Sequence, residues 1–228
     1  MLRNIFSGGF NSQALIQVLF FIPIFLITIV VHECAHGYIA YKMGDPTARN
    51  MGRLTLNPLK HIDPIGFIML MFLGFGWAKP VMINPRNFRN PKKGMAISAL
   101  AGPVSNILMA ILGAIILGII NFIYYNFASN AIKFVEMAQW FFSYFMTMNV
   151  YFAVFNFLPV PPLDGSRILS YFLPYKLSYY YNYVERYGFL VLIILLYTGI
   201  LSIPLTFLSG WIITGITYIL HFVPFLLL

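Results

Sequence analysis

Between Lys93 and Lys133 the chain carries no charged side chain, and a run of that kind leaves few folds open to it. In water an apolar stretch of this length would have no polar face to present to solvent, whereas about 20 consecutive apolar residues make one helical crossing of a bilayer. Similar stretches occur at 14–43, 134–158, about 184–203 and 206–227, the last two separated by Pro204. Charged residues make up 9% of the 228 residues, against roughly 25% in an ordinary soluble domain. That is too little polar surface to coat a globule of this size. The expectation is an all-α polytopic membrane protein with about five transmembrane helices, in which any chemistry sits in or at the bilayer.

The region between the first two spans has a different character. Residues 44–92 are punctuated by Asp45-Pro46, Asn57-Pro58, Asp63-Pro64, Lys79-Pro80, Asn84-Pro85 and Asn90-Pro91, pairs that stop helices and open turns. Within it the apolar piece 64–76 has only 13 residues, which suits a re-entrant or interfacial segment better than a crossing. The stretches 50–56 and 79–84 have β-like character and are expected to pair as a small hairpin. A second break, 159–183, opens with Pro159-Val160-Pro161-Pro162.

Charge sets the expected orientation. If 64–76 re-enters instead of crossing, the loops carrying Lys42, Arg49, Arg53 and Lys60, then Lys79, Arg86, Arg89, Lys92 and Lys93, then Arg167, Lys176 and Arg186 share one face. That places 12 of the 14 basic residues together and leaves Arg3 and Lys133 opposite, as the positive-inside rule favours. The reading is five spans, N-terminus outside and C-terminus inside. The net charge of +8 lies in these short loops, where it orients the chain; no nucleic-acid partner is expected, and the surroundings are the lipid bilayer.

Charged and imidazole groups inside an apolar span are costly, so each needs a reason. His32-Glu33-Cys34-Ala35-His36 supplies one. Residues i and i+4 stack on one face of a helix, which brings both imidazoles within reach of a single tetrahedral zinc. Glu33, next to His32, can lean over the same metal without ligating it and accept a proton from the water it polarises. Cys34 points off that face. Chance alone produces this spacing in about one in a thousand sequences of this composition. An interhelical hydrogen-bond cluster is the blander explanation.

Two histidines leave a catalytic zinc one protein ligand short. Of the other acidic residues, Asp45, Asp63, Asp164, Glu136 and Glu185, only Asp164 stands where a span breaks at membrane depth, in Asn156-Phe157-Leu158-Pro159-Val160-Pro161-Pro162-Leu163-Asp164-Gly165. The prolines interrupt the helix and Gly165 permits an unusual backbone angle, so the carboxylate can turn towards the metal. Irregular backbone at that depth requires burial in protein or a watery cavity, and a watery cavity is what hydrolysis needs.

The residues at 32–36 and 156–165 together resemble the site-2 proteases, intramembrane zinc metalloproteases with a His-Glu-x-x-His helix and a distant Asn-x-x-Pro-x-Pro-x-Leu-Asp-Gly motif. Gly102-Pro103-Val104-Ser105-Asn106 answers to the family's intervening Gly-x-x-x-Asn/Ser/Gly motif, and Gly52-Arg53-Leu54-Thr55-Leu56-Asn57-Pro58 is similar to its β-hairpin region. The resemblance covers about residues 14–170. It implies a single intramembrane metalloprotease domain, 1–228, with that core and C-terminal helices at about 184–227. It further implies one zinc per chain on His32, His36 and Asp164, with Glu33 as the catalytic base. Asn156 and Asn106 become candidate substrate or oxyanion contacts, and the substrate a membrane protein with a transmembrane helix. Many members carry PDZ or CBS domains; this chain resembles a core-only, prokaryotic member, active nearer the cytoplasmic face of the cell membrane.

Two other functions fit part of the pattern. A metal-ion transporter could use His32, His36 and Asp164 as a transit site, though it has no need of Glu33. An inactive scaffold has no need of the whole set. His61 and Asp63 read either as partners behind the metal ligands or as an interfacial turn, with the turn favoured.

Overall fold

A computed structural model describes residues 12–73, 76–127 and 132–221; the expected positions of Arg3 and of the 222–227 end of the last span lie outside them. Among the described residues the chain is all helical, without strands. The long helices are α1 (Ser12–Lys42), α4 (Pro91–Phe127), α5 (Ile132–Phe157) and α9 (Ser202–His221). Shorter ones are α2 (Thr47–Asn50), α3 (Pro64–Leu73), α6 (Asp164–Phe172), α7 (Tyr175–Glu185) and α8 (Gly188–Tyr197). Three segments, Val18–Lys42, Pro91–Tyr124 and Ser202–Ile219, are long and apolar enough to cross a membrane. α5 has 26 residues but opens with Lys133, Glu136 and Gln139.

Helix α4 is the organiser, packed against α5, α1 and α6. Its buried face is built of small residues, Ala99, Ala110 and Ala114, which let neighbouring backbones approach closely, as helices must where lipid removes the hydrophobic drive to pack. Ala110 and Ala114 meet Met146, Val150 and Val154 of α5 and Ile216 of α9. A second cluster joins Leu158, Leu163, Leu192 and Leu201 beside the α5–α6 break.

The Asn-Pro and Asp-Pro pairs turn out to be more specific than turn markers. Asn57, Asp63, Asn84 and Asn90 each place a side-chain oxygen on a backbone N–H two or three residues on, with the following proline opening the helical turn. This is an N-cap followed by proline at N1, where the missing N–H costs nothing. Asp63 thereby caps α3.

Two expectations are corrected. The segments 50–56 and 79–84 do not pair; the one β-bridge among the described residues joins Ile62 to Ala78, with Lys79 N–H on His61 O at 2.8 Å. Helical and turn bonds run on from α2 through Met51, Gly52 and Arg53 to Thr47, Arg49 and Ala48, so the first part of 50–56 is a turn and not an extended strand. The span expected at 184–203 is also not one helix. α8 ends at Tyr197, and a turn containing Gly199 at φ 73° leads into α9. Ten residues rise about 15 Å, half of a hydrocarbon core of roughly 30 Å. Pro204, expected between spans, lies in the first turn of α9, where a proline is tolerated.

Fully buried Asp45 ties the loop beyond α1 together. Its carboxylate accepts from the Thr47 N–H (3.1 Å) and hydroxyl (2.5 Å), the Asn84 N–H (2.7 Å) and the Asn87 amide (2.6 Å). Burial alone would raise its pKa, but these donors outweigh it and hold the carboxyl below its usual value. A depressed folded pKa adds stability that is present above the unfolded value of about 3.9 and lost as pH falls through the folded one. Asp45→Ala should cost about 2–4 kcal/mol at pH 7, the stranded donors being the cause. Thermal unfolding in detergent should show the deficit narrowing below about pH 4; a deficit unchanged with pH would refute the account.

Candidate metal centre

The end of α1 carries the first two ligand candidates. His32 and His36 lie one turn apart and almost wholly buried, and their Nε2 atoms approach to 2.9 Å. Asp164 opens α6 after the proline break, and its Oδ2 lies 3.1 Å from His32 Nε2 and 3.2 Å from His36 Nε2. These edges are close to the roughly 3.3 Å expected between ligands of a tetrahedral zinc with bonds of about 2.0–2.1 Å. The three residues form the one cluster of three or more His, Cys, Asp or Glu among the described residues that could hold a metal ion.

Hydrogen bonding behind the imidazoles decides whether their chemistry fits. His36 Nδ1 lies 2.7 Å from Ser98 O; a carbonyl only accepts, so the Nδ1 carries the proton. His32 Nδ1 lies 2.6 Å from Asn106 Oδ1, while Asn106 Nδ2 donates to Asn149 Oδ1 (3.0 Å) and Thr28 O (3.3 Å). With each Nδ1 so engaged, both rings turn their Nε2 inward, towards the buried Asp164 Oδ2, which meets no group other than these two nitrogens. Three potential ligand atoms thus converge on one point, where a cation would be held by all of them. The donor set fits zinc.

Two glycines make the approach possible. A Cβ on Gly102 would fall 2.5 Å from His32 Cε1 and 2.4 Å from His36 Cε1. Gly165 works differently from the expectation: positive φ occurs at Gly44, Gly52 and Gly199 and not there. Instead a Cβ at Gly165 would strike Phe157 O at 2.1 Å, so glycine lets α6 start against the end of α5 and deliver Asp164. Gly102→Ala should keep the helix, since alanine is the better helix former. Overpacking of about 1–3 kcal/mol should push the imidazoles apart and weaken zinc about 10- to 100-fold. Circular dichroism and chelator competition check this; wild-type zinc affinity would count against the close approach.

Glu33 is half-buried, and its Oε2 accepts the Val81 N–H at 2.8 Å. The chain after α3 therefore holds the carboxylate in place, a contact that no spacing in the sequence announced. Cys34 turns away, its thiol donating to Thr55 O at 2.9 Å. Fully buried His61 bonds the same carbonyl at 2.8 Å. Asn156 donates to Phe152 O of its own helix and does not join the ligand cluster. Asn106 is fully buried with its oxygen and both amide protons engaged inside the protein, which leaves it no donor for a substrate. Asn149 was missed, although a lone amide in an apolar span is itself a signal.

Comparisons with known proteins place the chain in a family. Residues 20–197 match the model of peptidase family M50. YwhC of Bacillus subtilis, whose name calls it a zinc metalloprotease, is 41% identical over 77% of this chain and 81% of its own length. Rip2 of Mycolicibacterium smegmatis is 28% identical, over 78% of this chain and 66% of its own, and MJ0611 of Methanocaldococcus jannaschii 26%, over 67% and 73%; both names say zinc metalloprotease. No solved structure matches the chain.

Proposed function

The chain belongs to peptidase family M50, and from that premise we propose that this metalloprotease is a zinc-dependent intramembrane endopeptidase. It would hydrolyse a peptide bond within or near a transmembrane segment of a membrane-protein substrate. The observation that carries the reading is the convergence of His32 Nε2, His36 Nε2 and the buried Asp164 Oδ2. One zinc held there would supply Lewis acidity and make water acidic enough to lose a proton near neutral pH. Glu33, its carboxylate anchored by Val81 N–H, would be the group that accepts a proton from the attacking water and hands it to the leaving amine. Asn156, in the last turn of α5 just before the break, bonds Phe152 O with one amide proton and is a candidate donor to the substrate carbonyl with the other. Asn106 serves from behind, holding His32. A transporter is not favoured, since transit needs neither the base nor a rigid tautomer for each ligand. The test is zinc-dependent cleavage of single-span substrates by purified protein; metal uptake into vesicles without cleavage would support the transporter.

The proposed topology follows from the packing. α1, α4, α5 and α9 cross, while α8 reaches halfway and returns, because Leu192 and Leu201 pack beside Leu158 and Leu163 whereas Ile216 packs beside Ala110 and Ala114. α9 therefore leads away from the face where α5 ends. With the basic loops cytoplasmic, the metal lies nearer that face and the C-terminus returns to the side of the N-terminus. In a Cys34→Ala background, a cysteine replacing exposed Arg89 should label only from the cytoplasmic side and one replacing exposed Lys133 only from outside. A phosphatase fused after Leu228 should be active outside; a cytoplasmic C-terminus would restore the fifth crossing.

A further inference from the structure

We propose that Asn149 is a positioning residue for the metal centre, acting on His32 through the amide of Asn106. The proposal rests on the zinc reading of His32, His36 and Asp164 and adds a residue three groups removed from the metal. The chain starts at a fixed point: Phe145 O, a backbone carbonyl, accepts from Asn149 Nδ2 at 2.9 Å. That bond settles which end of the Asn149 amide is oxygen, and the oxygen faces Asn106 Nδ2 at 3.0 Å. Asn106 must then present its own oxygen to His32 Nδ1, at 2.6 Å. A carbonyl-type acceptor keeps the proton on Nδ1 and the lone pair on Nε2.

Burial makes the relay consequential. Asn149 and Asn106 are fully buried and His32 is 3% exposed, so water cannot replace a missing partner. Without the Asn149 oxygen, Asn106 keeps only its longer bond to Thr28 O (3.3 Å) to hold it against rotation by half a turn. A rotated amide would offer N–H to His32 Nδ1, drive the ring proton to Nε2 and cover the lone pair that a metal requires. An amide that merely packed helices would have no such route to the metal.

Zinc affinity of the purified, metal-stripped protein, measured by chelator competition in detergent, tests the relay. Asn149→Leu should weaken zinc about tenfold or more, the loss typical of removing an outer partner. Asn149→Asp, as the neutral acid that full burial favours, keeps an acceptor facing Asn106 and an O–H to donate to Phe145 O, and should stay within about threefold of wild type. If the effect passes through Asn106, Asn149→Leu should add nothing in an Asn106→Ala background. Equal losses in both backgrounds, or wild-type affinity in Asn149→Leu, would overturn the proposal. Should the leucine variant not fold, nitrogen chemical shifts of His32 in the metal-free wild type and in Asn149→Asp read the same relay: a proton on Nδ1 is expected in both, and an Nδ1 without one in either overturns it. Wild-type zinc binding that survives Asp164→Ala would instead remove the ligand assignment beneath the proposal, a result distinguishable from loss of the relay alone.

Discussion

Glu33→Gln should lower the rate of substrate cleavage by about 10³-fold or more, at the upper end of what a positioned general base contributes, while the purified variant still carries its zinc. Glutamine has nearly the shape of glutamate and its side-chain oxygen can still accept from Val81 N–H, so the segment after α3 should stay where it is. What it lacks is a lone pair basic enough to take a proton at neutral pH. The three ligand candidates His32, His36 and Asp164 are untouched by the change, which separates the roles cleanly. Cleavage of a single-span substrate and metal content measured on one preparation give the answer. A variant that is inactive because its zinc is gone would make Glu33 a ligand and would revive the transporter.

Asp164→Ala should do the opposite, removing the metal first and activity with it. The carboxylate supplies the only anionic member of the cluster, and its Oδ2 lies within 3.2 Å of both Nε2 atoms. Losing it leaves two neutral ligands, so affinity should fall by more than the roughly 10- to 100-fold that follows loss of an outer partner. Asp164→Asn, which keeps shape and loses charge, should be intermediate. Helix α6 should persist, because Gly165 still fits against Phe157 O and alanine favours helix. Full zinc occupancy in Asp164→Ala would show that the third ligand lies elsewhere.

His32 and His36 were legible because both sit on one helix: the period of 3.6 residues puts i and i+4 on a common face whatever the rest of the chain does. The N-cap oxygens of Asn57, Asp63, Asn84 and Asn90 act within three residues, so those boundaries were equally local, as was the membrane setting, which is a sum over composition. Asp164 was found because a carboxylate in a proline break at membrane depth is too costly to lack a role.

The sequence by itself thus determined the membrane environment, the shared helix face of His32 and His36, the places where helices break, and the candidate ligand types. What brings His32 to Asn106, 74 residues on, and Glu33 to Val81, 48 on, is the packing of α1 against α4 and of the loop against α1, and no local periodicity encodes such contacts. The same holds for the gap at Gly102, visible as a requirement only once two imidazoles occupy it. Hydropathy alone reads 184–203 as one span, yet the turn at Gly199 and the docking of Leu192 and Leu201 beside Leu158 divide it between α8 and the start of α9. Local chemistry chose the groups; only tertiary packing decided which lone pairs face one another, because their orientation is set by hydrogen bonds from other helices.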